Sequence, residues 1–207
     1  MRMATRRWPA VTAAAAVVLL AACTGPDATP AASSPAATRS AAPSATPTPT
    51  PTPTGGVQDQ SDEALGIVFE DVPELTGDEA DVWNWIATYE KEYWRTMTTN
   101  EVSPAFSAIG SAAVRQSMER VAEGNAKIDA KIGGTFHVEV GGVTVDGDTA
   151  TGVSCDDFAD ATFEDENGTY TPEEAGFDEP RRKSFTLVRG ASEGIWKVET
   201  VKREGTC

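Results

Sequence analysis

From about Ala64 onward, apolar positions recur first with a helical period and later with a strand period. At about 100° per residue, Trp83, Ile86, Tyr93, Trp94 and Met97 share one face of a helix. Asn84, Thr88, Lys91 and Arg95 fall on the opposite face, so an amphipathic helix is expected to run to about Thr98. Thr76-Gly77-Asp78-Glu79 reads as a capping box that opens it. Ser103-Pro104 restarts a short helical turn that Gly110 stops. A second amphipathic helix carries Val114, Met118 and Val121 on one stripe, and the pattern continues past Gly124 to Ile128 and Ile132.

Beyond Gly133-Gly134 the period becomes two. Phe136, Val138 and Val140 alternate, then Val143 and Val145 alternate in the opposite phase across Gly141-Gly142. A phase flip at paired glycines predicts a β-bulge. Asp146-Gly147 supplies a hairpin turn, and residues 149–157 return as a second strand. Phe185 to Arg189 and Ile195 to Val201 predict a further hairpin. Helices followed by antiparallel strands argue for an α+β fold with the helices on one sheet face.

The chain before this domain has another pattern. Arg2, Arg6 and Arg7 precede an apolar run from Ala10 to Ala22, shorter than the roughly 20 residues that cross a bilayer core. Residues 1–22 therefore read as a signal peptide. Its end, Leu20-Ala21-Ala22-Cys23, resembles a bacterial lipobox, which implies cleavage after Ala22 and lipidation of Cys23. Residues 24–56 are almost wholly Ala, Thr, Ser, Pro and Gly and hold eight of the 13 prolines. Strict Thr/Pro alternation from Thr46 to Thr54 favours extended polyproline II, so residues 23–60 are expected to form a disordered linker and 61–207 one folded domain.

Charge narrows the function classes. Seventeen Lys and Arg stand against 32 Asp and Glu, a formal charge of −15. That balance argues against binding a nucleic-acid backbone, which needs dense Lys and Arg. It also means that an anionic bilayer would be held through acyl chains, not through the polypeptide's own charge. A single histidine rules out a multi-histidine metal site and a histidine relay.

An N-terminal aromatic helix, a shorter helix, a bent strand entering a hairpin, and the ending Ile195-Trp196-Lys197-Val198 resemble the NTF2-like (SnoaL-like, cystatin-like) superfamily. The resemblance covers roughly residues 75–207 and implies a half-open cone, a shape that hosts enzymes, binding proteins and scaffolds alike. Lipid-anchored members are common in actinobacteria, and in these a strand often carries a Cys-Asp pair with a last cysteine near the end of the chain. Here those are Cys155-Asp156 and Cys207. With Cys23 lipidated, an exported compartment favours pairing of Cys155 with Cys207, two free thiols being the alternative.

Glu90 falls in the middle of the apolar helix face, among Trp83, Ile86, Trp94 and Met97. In an NTF2-like cone this helix lines the pocket, so Glu90 is the one candidate base or ligand contact. Its alternative role is structural, paired with an arginine or tyrosine or reaching the cone mouth. His137 reads as a half-buried polar residue on a strand, and no Asp/His or Tyr/Asp catalytic pair of the superfamily carries across. Residues 156–179 hold ten acids and no base, and the spacing of Asp165 and Gly168 fails the EF-hand pattern, so a solvated acidic loop is expected. Arg181-Arg182-Lys183 would neutralise it.

These observations imply a domain lipid-anchored at Cys23 on the outer face of the bacterial cytoplasmic membrane. It is expected to bind a protein or a small apolar ligand without catalysis and without a cofactor or metal. The alternatives are an NTF2-like enzyme transferring protons in the cone, and a scaffold component of a cell-envelope complex.

Overall fold

A computed structural model describes residues 55–191 and 194–207. The expected signal peptide (residues 1–22), Cys23 and nearly all of the expected linker lie outside the described residues. In chain order the elements are β1 (Ile67–Glu70), α1 (Gly77–Thr99), α2 (Phe106–Ile109), α3 (Ala112–Lys127), β2 (Lys131–Gly134) and β3 (Phe136–Asp146). They continue with β4 (Thr149–Asp157), β5 (Ala161–Asp165), β6 (Gly168–Tyr170), β7 (Arg181–Arg189) and β8 (Trp196–Thr206). The fold is α+β. A five-stranded sheet runs β1-β3-β4-β7-β8, and a three-stranded sheet runs β2-β5-β6.

The bulge and both hairpins stand where the residue pattern puts them. β3 pairs antiparallel with β4, its register shifts between Gly141 and Thr144, and Gly142 takes φ 59°, a conformation that glycine tolerates best. β7 pairs antiparallel with β8. That ladder skips from Leu187↔Val198 to Thr186↔Thr200, so Glu199 of β8 is an extra residue at a second bulge, and the register shifts again between Lys183↔Arg203 and Arg181↔Thr206.

α1 lies on the five-stranded sheet. Trp83 donates its indole N–H to Val140 O at 3.0 Å, and Trp94 donates to Leu65 O at 2.9 Å. Phe136 joins Tyr93, Trp94 and Phe158 in an aromatic cluster. The helix approaches β4 so closely at Gly152 that a Cβ there would lie 2.5 Å from the Ile86 terminal methyl.

Several expectations change. Thr76 occupies the N-cap of α1, yet its side chain makes no cap hydrogen bond, so the capping box is not formed. α1 is buried nearly all round, including Asn84 and Thr88 on its polar face. The reason is the segment before β1: Gln58 N–H donates to Asn84 Oδ1, Gln60 Nε2 to Asn84 O, and Thr88 Oγ1 to Gln60 Oε1. Residues 58 and 60, read from sequence as linker, thus lie against the helix. α3 ends at Lys127, the chain turns at Asp129 with φ 49°, and Ile132 lies on β2.

The large sheet is mixed, because β1 pairs parallel with β3. The acidic stretch is no simple solvated loop either. It contains β5 and β6, buries Ala161 and Phe163, and stacks Phe163 on Phe177. Apolar residues between the acids supply a small core that the charge count conceals.

Candidate functional site

Period-two geometry decides which polar groups enter the interior. On β4, Ala150, Gly152, Ser154 and Asp156 point inward; on β7, Lys183, Phe185 and Leu187 do. Ser154 and Lys183 are register partners across β4 and β7. α1 lays Glu90 over this pair. The result is a buried cluster in which Glu90 and Ser154 are 0% exposed, Asp156 1% and Lys183 4%.

Lys183 Nζ lies 2.7 Å from Glu90 Oε2 and 2.5 Å from Asp156 Oδ2. Ser154 Oγ lies 2.7 Å from Glu90 Oε1 and 2.8 Å from Asp156 Oδ1. A hydroxyl has one proton to donate, so it serves only one of two carboxylates at a time. A proton on Glu90 Oε1 completes the chain: Glu90 donates to Ser154 Oγ, and Ser154 donates to Asp156. Burial, aided by the neighbouring Asp156 charge, pushes the Glu90 carboxyl up to about 7, against the opposing pull of Lys183 and Ser154. Burial also works against the Lys183 charge, but Asp156 and Glu90 overcome it and hold the ammonium protonated. With Glu90 neutral, the cluster reduces to one buried ion pair, Lys183 with Asp156, and a neutral acid.

Glu90 therefore does not line a pocket. Both of its oxygens are occupied, and its partner is a lysine, where the residue pattern led us to expect an arginine, a tyrosine or water. The ionisable group that reaches open space is Lys183. Its ammonium lies 3.9 Å from the Tyr93 ring centroid and 5.6 Å from that of Tyr89. Beyond these rings opens a cavity of about 430 Å³ between α1, α3, β7 and β8. Val114, Met118 and Val121 of α3 form its apolar wall, Val201 and Arg203 come from β8, and Arg120 stands on α3. Neither Tyr89 nor Tyr93 makes a side-chain hydrogen bond among the described residues, and burial raises the pKa of both phenols.

A smaller concavity of about 270 Å³ lies between Ile128, Ile132, Phe163 and Phe177, with Glu164, Asp165 and Glu174 at its edge. His137 lies elsewhere, on β3, where Nδ1 meets Glu70 at 2.8 Å and Nε2 meets Asp160 at 3.1 Å. The Glu70 contact, with Asp160 adding to it, raises the imidazole pKa against partial burial. Arg181, Arg182 and Lys183 do not act as one neutralising run. Arg181 stacks on Phe177, Arg182 meets Glu204 at 3.7 Å, and Lys183 turns inward. The Cys155 and Cys207 sulfurs lie at disulfide distance, with Cα atoms 6.0 Å apart.

Sequence reasoning passed over Ser154, counted Asp156 among the loop acids and read Lys183 as neutralising that loop, although a signal for their common site existed. Each is in phase with inward neighbours, Ser154 and Asp156 with Ala150 on β4, and Lys183 with Phe185 on β7. Among the described residues, no group of three or more His, Cys, Asp or Glu is placed to hold a metal ion, and no helix is long and apolar enough to cross a membrane.

No family model and no curated protein matches the chain. Among solved structures, it is similar to the intermembrane space region of the chloroplast protein ARC6, at 14% identity and a TM-score of 0.49, covering 63% of this chain and 98% of that one. It is also similar to a point variant of Rv3472, a function-unknown protein from Mycobacterium tuberculosis, at 15% identity and a TM-score of 0.42, covering 62% of this chain and 76% of that one.

Proposed function

We propose that this protein is a lipid-anchored extracytoplasmic binding domain of NTF2-like shape, and that its cone takes a small, largely apolar ligand without catalysis. The observation that carries this reading is the cavity of about 430 Å³ together with the state of the buried acid behind it. The space falls in the usual range for small-molecule sites, roughly 300–1,000 Å³, and its walls set valine, methionine and tyrosine beside Ser117, Thr200 and the charged Arg120, Lys183, Glu199 and Arg203. A general base needs a free oxygen within reach of the substrate. Glu90 has none, since Lys183 and Ser154 take both. The cluster is thus a rigid floor for the cone.

The anchor part of the proposal rests on Leu20-Ala21-Ala22-Cys23 and the Thr/Pro linker that follows it. Replacing Cys23→Ala is expected to move the protein from the membrane fraction to the soluble one; a variant that still pellets with membranes would sink the anchor. For the binding part, the neutral fluorophore N-phenyl-1-naphthylamine is expected to brighten saturably with the full chain. Val121→Trp, which fills the cavity from α3, is expected to abolish the signal. Saturable brightening that survives the tryptophan would place the ligand elsewhere.

A further inference from the structure

The cavity wall has a charge arrangement that the fold itself does not require. Lys183 and Arg203 are register partners across β7 and β8. The bulge at Glu199 keeps Val201 and Arg203 in phase with Phe185 and Lys183, so both cations face the cavity from adjacent strands. Like charges directly opposed on one sheet face destabilise the pair. Arg120 adds a third cation to the lining, from α3. Lys183 is neutralised from behind by Asp156, at 2.5 Å. Among the described residues, neither Arg120 nor Arg203 has a carboxylate within ion-pair distance, although the chain holds 32 acids against 17 bases. The acid on the wall is Glu199, in the bulge.

In so acidic a chain, two arginines without ion-pair partners beside an apolar wall point to a negative charge supplied from outside. We propose that the cavity selects a carboxylate-bearing amphiphile. Its anionic group sits between Arg120 and Arg203, where guanidinium forks suit a carboxylate, and its apolar body lies against Tyr93, Val114, Met118 and Val121. Lys183 contributes the positive end of its ion pair to the same field from below. A cationic or neutral amphiphile would gain the apolar contacts alone. This inference rests on the binding reading above and names its ligand class.

The test is calorimetric titration of the full chain with three probes that share one apolar body: 4-phenylbutyrate, 4-phenylbutan-1-ol and 4-phenylbutylamine. The carboxylate is expected to bind about tenfold or more tighter than the alcohol, and the amine most weakly. In the double variant Arg120→Gln/Arg203→Gln, the carboxylate's advantage is expected to vanish while the alcohol's affinity is retained. Both arginines are exposed, so the fold should survive, and a thermal melt checks this. Val121→Trp is expected to remove binding of all three. Equal affinities for the three probes, or a preference for the amine, would overturn charge selection and leave an apolar binding cone. Carboxylate binding that persists in either variant would also overturn the assignment. If none of the probes binds saturably, the cone-binding reading itself fails, and the ligand class with it.

Discussion

Ser154 and Lys183 stand opposite each other on β4 and β7, and the hydroxyl and the ammonium take hold of the same carboxylate, Glu90, from adjacent strands. Each of them also touches Asp156. Two acids, one lysine and one serine therefore share a buried interior, and the proton count decides whether it is electrically neutral.

That count sets a pH dependence. Glu90 is pushed up to about 7, above its ordinary unfolded value near 4.3, so the folded state holds this proton more tightly than the unfolded one. The stability it contributes is complete below the unfolded value and is lost as pH rises through about 7, a loss on the order of a few kcal/mol. The groups facing Glu90 are Lys183, Asp156, Ser154 and the rings of Tyr89 and Tyr93. In Glu90→Gln the amide imitates the protonated acid, so stability at pH 5 should lie within about 1 kcal/mol of the parent, and the decline towards pH 8 should flatten. Urea unfolding at both pH values checks this; an unchanged slope would place the proton elsewhere.

Lys183→Met should be far harsher. It removes the single cation from between two buried carboxylates and leaves Asp156 unpaired, a loss of about 3–5 kcal/mol. Equilibrium denaturation at pH 7 reads it directly. A loss under about 1 kcal/mol would mean that water enters the cluster.

The cysteine pair closes a loop with a sequence separation of 52. In the chain-entropy treatment such a crosslink contributes about 4 kcal/mol. Denaturation of the oxidised protein, with and without reductant, should show a difference of that order, and mass analysis should find neither Cys155 nor Cys207 alkylatable in the oxidised form.

His137, held between Glu70 and Asp160, should titrate above the ordinary imidazole value. Its contribution to stability is present below that ordinary value and is lost as pH rises through the raised one. Proton NMR of the His137 ring follows the titration. Glu70→Gln should bring the midpoint down; no movement would remove Glu70 as the main cause.

The sequence was most legible where one period covered a long stretch. α1, α3 and the bent β3 into β4 hairpin all announce themselves through apolar spacing and paired glycines. β1 did not, because four residues of a parallel edge strand carry no turn signal to mark their partner, β3, which begins at Phe136. β5 and β6 hid within acids whose apolar neighbours are few. Glu90 was visible as a charge on an apolar face, since helical geometry alone fixes that. Its partners were not, because they depend on which strands become neighbours, and pairwise spacing does not encode sheet order. Asp156 is the clearest case: one of ten acids in its stretch of sequence, it parts from the others in space through the alternation of β4.

The bulge at Glu199 divides β8 into two stretches with separate duties. Trp196 and Val198, before Glu199, pack into the core, while Val201 and Arg203, after it, face the cavity. Under the proposed binding role, point changes on the far side would alter what the cavity accepts while the near side goes on specifying the fold. Relatives of this chain that kept the first stretch and drifted in the second would share an architecture and differ in ligand, with inheritance of shape and inheritance of specificity written on different halves of one strand.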